Sequence, residues 1–143
     1  MKLSTKCRYG LRAVLQIAQT GDVPCKRKHI ASEQELSDSY LENILIMLKS
    51  KGIIATTRGV NGGYILGRDP SSITLLEVIT ALEGPLVLVE CVGKSDTCGK
   101  SLACTARSVW QELSASWNRI LGKTTLQDLL DRKNRNEPCM ASE

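Results

Sequence analysis

Apolar residues recur at helical spacing from the beginning of the chain. Leu3, Cys7, Leu11, Val14, Leu15 and Ala18 predict a first helix from about Ser4 to Thr20. Gly21-Asp22-Val23-Pro24 breaks it, and Lys26 to Gln34 reads as a short helix with Ile30 and Ala31 inward. Leu36-Ser37-Asp38-Ser39 supplies an N-cap for a third helix, where Leu41, Ile44, Leu45 and Leu48 form an i, i+3, i+4, i+7 stripe. Lys49, Lys51 and Gly52 end that helix with cations and a glycine stop signal. The pattern then turns β-like over Ile53 to Thr57 and again over Tyr64 to Leu66. Between them Arg58 to Gly63 reads as a turn, with Asn61-Gly62 as a hairpin signal.

Two helices joined by a tight turn and followed at once by a hairpin make a winged helix-turn-helix, with Arg58 at the wing. Residues 1–68 therefore read as a DNA-binding domain. After Asp69-Pro70-Ser71-Ser72, Thr74 caps a helix carrying Leu75, Leu76, Val78, Ile79 and Leu82, which stops at Glu83-Gly84-Pro85. Leu86 to Val89 is a short strand or an extended connector. A long helix runs from about Thr105 to Leu121 with Val109, Trp110, Leu113, Trp117, Ile120 and Leu121 on one side. A small monomer struggles to bury both tryptophans of such a helix. Thr124 or Thr125 caps a last short helix with Leu126, Leu129 and Leu130, and the chain from Arg132 onward reads as a flexible tail.

The chain has 143 residues, 42% hydrophobic and only 3% aromatic with no Phe, so its core is aliphatic and helical rather than a β-sandwich. No apolar run approaches the ~20 residues that span a bilayer. The first residues show no signal-peptide pattern, which points to the cytoplasm. The net charge of +4 is unevenly spread. Residues 1–68 hold 11 Lys+Arg against 5 Asp+Glu, whereas residues 69–143 hold 8 against 10. A basic N-terminal half favours a polyanion there.

Lys2, Lys6, Arg8, Arg12, Lys26, Arg27, Lys28, Lys49 and Lys51 are candidates for phosphate contacts, the alternative being a solvated face. Ser37, Ser39, Tyr40 and Asn43 lie on or near the outer, N-terminal part of the third helix, the part that enters the major groove in this motif. Glu42 is unusual there, because phosphate repels a carboxylate unless that carboxylate accepts from a cytosine amino group. His29, the one histidine, has no catalytic partner, and no hydrolase, nucleotide-binding or metalloprotease motif is present. The sequence does not read as an enzyme.

Three of the six cysteines, Cys91, Cys98 and Cys104, fall in a C-x6-C-x5-C loop. Three thiolates with two glycines among them suit a soft metal or an iron–sulfur cluster; free thiols or a redox dithiol are the alternative. The spacing lacks the short pairs of structural zinc and of ferredoxin-type clusters. Cys7 sits on the first helix's apolar stripe and reads as core. Cys25, followed by Lys26-Arg27-Lys28 at a helix start, reads as a candidate reactive thiol.

Taken together, several segments resemble the Rrf-two family of bacterial winged-helix regulators. They are Met1 to Lys6 with Arg8-Tyr9-Gly10; Ser39-Tyr40-Leu41-Glu42; Arg58-Gly59 through Gly62-Gly63-Tyr64; and the cysteine loop ahead of Trp110. The resemblance extends to about Leu130. Members of the family control iron–sulfur cluster assembly, nitric-oxide response, iron supply and cysteine metabolism. The resemblance implies a homodimer held by the helix around Trp110 and Trp117, bound to a partly palindromic operator. It implies that Ser37, Ser39 and Tyr40 read the major groove, that Arg58 with the Asn61 turn reaches the minor groove, and that Glu42 tunes operator choice. Cys91, Cys98 and Cys104 match the cluster ligands of the sensing members. Two departures bear on the fourth ligand. Arg107 stands where the cluster-assembly regulators have a histidine, and Arg8 stands where the nitric-oxide and related redox sensors have a carboxylate. Cys7, Glu90 or an exchangeable small molecule is then the candidate fourth ligand.

The sequence thus predicts a mainly α protein with a small β-hairpin wing. Residues 1–68 bind DNA. Residues 69–131 form the sensor and dimerisation region, with the cysteine loop at 91–104 and the long helix at about 105–121. The function it predicts is a dimeric repressor whose binding to duplex DNA is controlled by a two-iron or four-iron cluster. The alternatives are a metal-free thiol-redox regulator on the same fold, sensing through Cys25 or the loop cysteines, and an iron–sulfur electron-transfer protein. The predicted DNA contacts are Lys28, Ser37, Ser39, Tyr40, Glu42, Asn43, Arg58 and Asn61.

Overall fold

Polar caps decide where the helices begin. In the computed structural model, which describes residues 3–93, 99 and 103–135, Ser4 accepts the Cys7 amide and starts α1 (Thr5–Gln19). Ser37 accepts the Tyr40 amide and starts α3 (Asp38–Ser50), while α2 (Arg27–Glu33) begins at Lys26 without a side-chain cap. Strands β1 (Ile54–Thr57) and β2 (Gly63–Leu66) pair antiparallel, Ile54 opposite Leu66 and Thr57 opposite Gly63. A 3-10 turn at Pro70–Ser72 leads into α4 (Leu75–Glu83), where Thr74 and Glu77 form a reciprocal capping box. The short α5 (Glu90–Gly93), the long α6 (Thr105–Lys123) and α7 (Leu126–Asn134) follow. Thr125, rather than Thr124, caps α7 through a second capping box with Asp128.

One core joins the elements from both halves of the chain. Leu41, Ile44, Leu45 and Leu48 of α3 are fully buried, as the stripe predicts, against Val14 and Ile17 of α1, Val78 and Leu82 of α4, and Leu126 of α7. Ile73 is buried with them, and its carbonyl accepts the Leu126 amide at 2.9 Å. The face of α1 is rotated from the one the sequence suggests. Gly10, Ala13 and Ile17 are buried alongside Cys7, Val14 and Ala18, while Leu11 and Leu15 are half-buried and Leu3 is 39% exposed. The cause is close packing: a Cβ on Gly10 would lie 2.4 Å from Cδ1 of Leu82 and 3.2 Å from Cγ2 of Ile44. Leu86 to Val89 is an irregular connector rather than a strand, and α5 after it was not expected. Helix α7 continues to Asn134, into the segment that reads as a tail; residues 136–143 lie outside the described ones.

Two local readings are corrected. The wing does not turn on Asn61-Gly62. Five residues, 58–62, separate the strands, the positive φ of +105° belongs to Gly59, and Gly62 donates to the Gly59 carbonyl. Gly62 is small for a different reason, since a Cβ there would lie 2.4 Å from the Thr57 carbonyl oxygen. Cys25 is not a thiol standing free among cations. Its amide donates to the Tyr64 carbonyl at 2.8 Å and the Tyr64 amide donates back at 2.9 Å, so Cys25 pairs with β2 and is 3% exposed. Burial pushes its thiol pKa up, against the reactive thiolate expected.

This pairing depends on Gly63, where a Cβ would lie 2.6 Å from the Cys25 carbonyl oxygen. Gly63→Ala is expected to destabilise the protein by about 1–3 kcal/mol, as overpacking against immovable backbone does. A urea titration checks this; an unchanged midpoint would mean the Cys25 segment does not sit against the wing.

Candidate nucleic-acid interface and cysteine cluster

Helices α2 and α3 meet through a turn at Gln34 to Ser37. Glu35 takes a positive φ of +54° there, a conformation more usual for glycine, and the Leu36 amide returns to the Ala31 carbonyl at 2.9 Å. The turn brings α2 across the start of α3. Burying Leu41, Ile44, Leu45 and Leu48 leaves Ser39, Glu42, Asn43 and Ile46 on the opposite stripe, all exposed. Ile46, 58% exposed, is not evident from the sequence, because an isolated apolar residue out of phase with the core stripe carries little weight. That phase mismatch is the signal that could have found it.

The predicted contact residues do not all present themselves alike. Lys28, Ser39, Glu42, Asn43, Arg58 and Asn61 are exposed. Ser37 is exposed too, but its hydroxyl oxygen is occupied as the cap of α3. Tyr40 is half-buried, its ring meeting that of Tyr9 edge-on at 6.4 Å, with the Arg12 guanidinium 5.8 Å from the Tyr9 ring centre. The Tyr40 ring therefore packs at the edge of the core.

Charge at this surface is organised by a residue whose role the sequence did not reveal. Arg27 donates from Nε to Asp38 at 2.9 Å and pairs through Nη2 with the other Asp38 oxygen at 2.7 Å. Its Nη1 reaches Glu42 at 2.5 Å. These partners, Asp38 first, raise the guanidinium pKa above its ordinary value. Lys26, Arg27 and Lys28 stand at the N-terminus of α2, where cations oppose the helix dipole. On the wing, the Thr57 hydroxyl accepts the Gly63 amide at 3.1 Å, and Val60 at the tip is 91% exposed.

The cysteines occupy a second region. Cys91 lies half-buried in α5, Cys104 is exposed at the N-cap of α6, and α5 packs on α6. Neither is in a disulfide, and no side chain caps α6. Cys98 falls outside the described residues, as does Cys139. Among the described residues no three metal-ligating side chains are gathered at one point. Glu90, a candidate fourth ligand, is exposed at the start of α5, beside Cys91. Cys7, the other protein candidate, is 2% exposed on α1, and burial followed by the charge of Glu83 raises its thiol pKa. The Ser4 hydroxyl also donates to Glu83, tying the start of α1 to the end of α4.

Helix α6 has no buried residue. Trp110, Leu113, Trp117 and Ile120 follow the 3, 4, 3 spacing of a helix seam and are 36–60% exposed. Beside them Leu3, Ile79 and Leu86 join Trp117, Ile120 and Leu121 around an apolar groove of about 260 Å³. No helix among the described residues is long and apolar enough to cross a membrane.

Comparison with known proteins agrees with this geometry. Residues 3–132 match the Rrf2 (Rrf-two) family, described as an iron-dependent transcriptional regulator. The HTH-type transcriptional regulator CymR of Bacillus subtilis is 36% identical over 130 residues, covering 90% of this chain and 89% of that protein. The solved structure of B. subtilis CymR, there termed the global cysteine regulator, superposes with a TM-score of 0.76 at 35% identity, over 90% of this chain and 95% of the other. The structure of IscR from T. potens gives 0.74 at 36% identity, over 100% and 94%. With its exposed α3 stripe and wing and this match across nearly its whole length, the chain belongs to the Rrf2 family of winged-helix, DNA-binding transcriptional regulators.

Proposed function

We propose that the protein is a homodimeric repressor that places α3 in the major groove and the wing in the minor groove, under the control of an iron–sulfur cluster on Cys91, Cys98 and Cys104. The observation that carries the DNA reading is the stripe of Ser39, Glu42, Asn43 and Ile46, exposed on a helix whose other face is fully buried. Ser39 and Asn43 supply hydrogen bonds to base edges, and Ile46 an apolar surface for a thymine methyl. Lys28 and its neighbours on α2 meet phosphate, which relieves their conflict with the helix dipole. Arg58 and Asn61 reach the adjacent minor groove from the wing. Occupying a promoter suffices for repression, whereas activation needs a further contact with the transcription machinery.

The donor set fits an iron–sulfur cluster. Cys91 and Cys104 flank Cys98 in the sequence, their own sulfurs are free, and the uncapped first turn of α6 favours an anionic group at Cys104. The family's description as iron-dependent supports the same reading. When bound, the cluster supplies a redox- and iron-sensitive crosslink between α5 and α6. This chain's own contacts can carry that constraint to the DNA surface, because α5 packs on α6, α6 on α4, and α4 on both α1 and α3. Glu90 is better placed than buried Cys7 to complete the ligand set.

The exposed seam of α6 and the groove beside it support the dimer. A second copy pairing Trp110, Leu113, Trp117 and Ile120 covers four exposed large hydrophobic side chains and the groove beside them. Two such copies present two α3 helices to a palindromic site.

Three outcomes are expected. Protein purified without oxygen contains iron and acid-labile sulfide in similar amounts; Cys104→Ser loses both, and Cys7→Ser leaves the visible spectrum unchanged. If iron and sulfide stay absent after anaerobic reconstitution, the cysteines act by thiol chemistry alone. Sedimentation velocity gives a dimer, and Trp117→Glu shifts it toward monomer; a wild-type monomer at micromolar concentration would sink the proposed interface. Arg58→Ala weakens operator binding and relaxes base preference beside the wing in a titration with labelled duplexes, by roughly 5- to 100-fold in affinity; equal affinity and selectivity would refute wing readout.

A further inference from the structure

Glu42 poses a problem that the DNA reading leaves open. It sits on the exposed stripe of α3 one turn after Asp38, so two carboxylates face a polyanion and repel each other as well. Arg27 resolves the conflict in the free protein. Its guanidinium grips both oxygens of Asp38, at 2.9 and 2.7 Å, and uses its remaining nitrogen for Glu42 at 2.5 Å. The two bonds to Asp38 make a pivot, and the single bond to Glu42 is the one that can be given up alone.

The network is also placed to exchange. Its three side chains keep 32%, 45% and 48% of their exposure, so solvent screens them and the pair to Glu42 holds only weakly. Lys26 and Lys28 flank Arg27 in the sequence and are both exposed, so the guanidinium stands among free cations that attract phosphate. A guanidinium binds phosphate as readily as it binds carboxylate.

We propose that Arg27 is a specificity-determining residue: it keeps Glu42 neutralised until a cytosine amino group in the major groove takes over that carboxylate, which frees one guanidinium nitrogen for phosphate. The proposal rests on the reading of α3 as the major-groove element. At a cytosine, N4–H donates to Glu42, Nη1 of Arg27 turns to the backbone, and every polar group retains a partner. At guanine or thymine the base edge offers only acceptors, so Glu42 has no donor but Arg27. The guanidinium then stays on the carboxylate and its phosphate contact is not made. Arg27 thereby links a base contact to a backbone contact, and it also softens the penalty at wrong bases by never leaving Glu42 bare.

The test compares the unaltered protein, Arg27→Gln, Arg27→Lys, Glu42→Gln and the Arg27→Gln/Glu42→Gln double variant, each prepared with and without cluster reconstitution. Duplexes with a randomised core are selected by the unaltered protein, and binding is then titrated on the selected duplex and on versions altered at single positions. The unaltered protein is expected to select cytosine at one position in each half-site, and Glu42→Gln to reduce that preference roughly tenfold. Arg27→Gln is expected to sharpen the preference over guanine and thymine several-fold, because Glu42 then has no donor at those bases, whereas adenine still offers its N6 amino group. It is also expected to lower the salt dependence on the cytosine duplex by about one phosphate contact. In the double variant, the effect of Arg27 on base preference disappears. Arg27→Lys, which keeps the charge but not the fork, sharpens the preference as the glutamine does while retaining the salt dependence.

If Arg27→Gln weakens binding to all duplexes equally, with or without Glu42, the proposal falls and Arg27 is a phosphate contact only. An unaltered thermal midpoint in each variant separates these outcomes from loss of fold. If the unaltered protein enriches no duplex in either preparation, the assignment of α3 to the major groove itself fails, and the linkage with it.

Discussion

The structure depends on how closely α1 approaches α3 and α4. At Gly10 the backbone of α1 comes within van der Waals distance of Leu82 and Ile44, a separation that leaves no room for a side chain. The packing of α3, α4 and α6 is tied to that crossing. It buries the stripe of α3 and so fixes which of its residues look outward. It seats α4 against α1, and α4 in turn carries α6. The exposed stripe of α3 and the exposed seam of α6 are thus opposite consequences of one shared core.

Much of this was legible in the chain because its signals are local. Ser37, Thr74 and Thr125 cap helices within three residues of themselves, and the stripe of Leu41 to Leu48 needs only helical periodicity. The hairpin was legible as a wing, although the residue taking positive φ was not. What escaped depends on partners distant in the sequence. Cys25 is buried because it meets Tyr64 across the fold, and Arg27 is committed because two carboxylates arrive on the next helix. The face of α1 escaped for a related reason. Hydrophobicity ranks leucine above glycine and alanine, whereas a close helix crossing selects the small residues.

The two candidate sites lie on elements under different demands. The surface formed by α2, α3 and the wing rests on buried side chains and paired backbone. Cys91 and Cys104 occupy short or terminal structure, Cys91 in a single turn and Cys104 where α6 begins. A ligand bound between such elements has little packing to oppose it. A rigid helix of 19 residues, roughly 28 Å long, then carries a small displacement at its start toward α4. On the proposed reading, sensitivity and readout are in this way assigned to different parts of the chain.

The pairing of Cys25 with Tyr64 has a consequence for the DNA itself. It stitches the segment entering α2 to the strand that leaves the wing, so helix-turn-helix and hairpin form one rigid caliper. On the proposed docking, the span between its major-groove and minor-groove contacts is fixed by protein backbone. An extra base pair between those contacts adds about 3.4 Å of rise. The caliper cannot widen to absorb it, so the duplex must bend or untwist instead, and operators are then sorted by stiffness as well as by the bases they present.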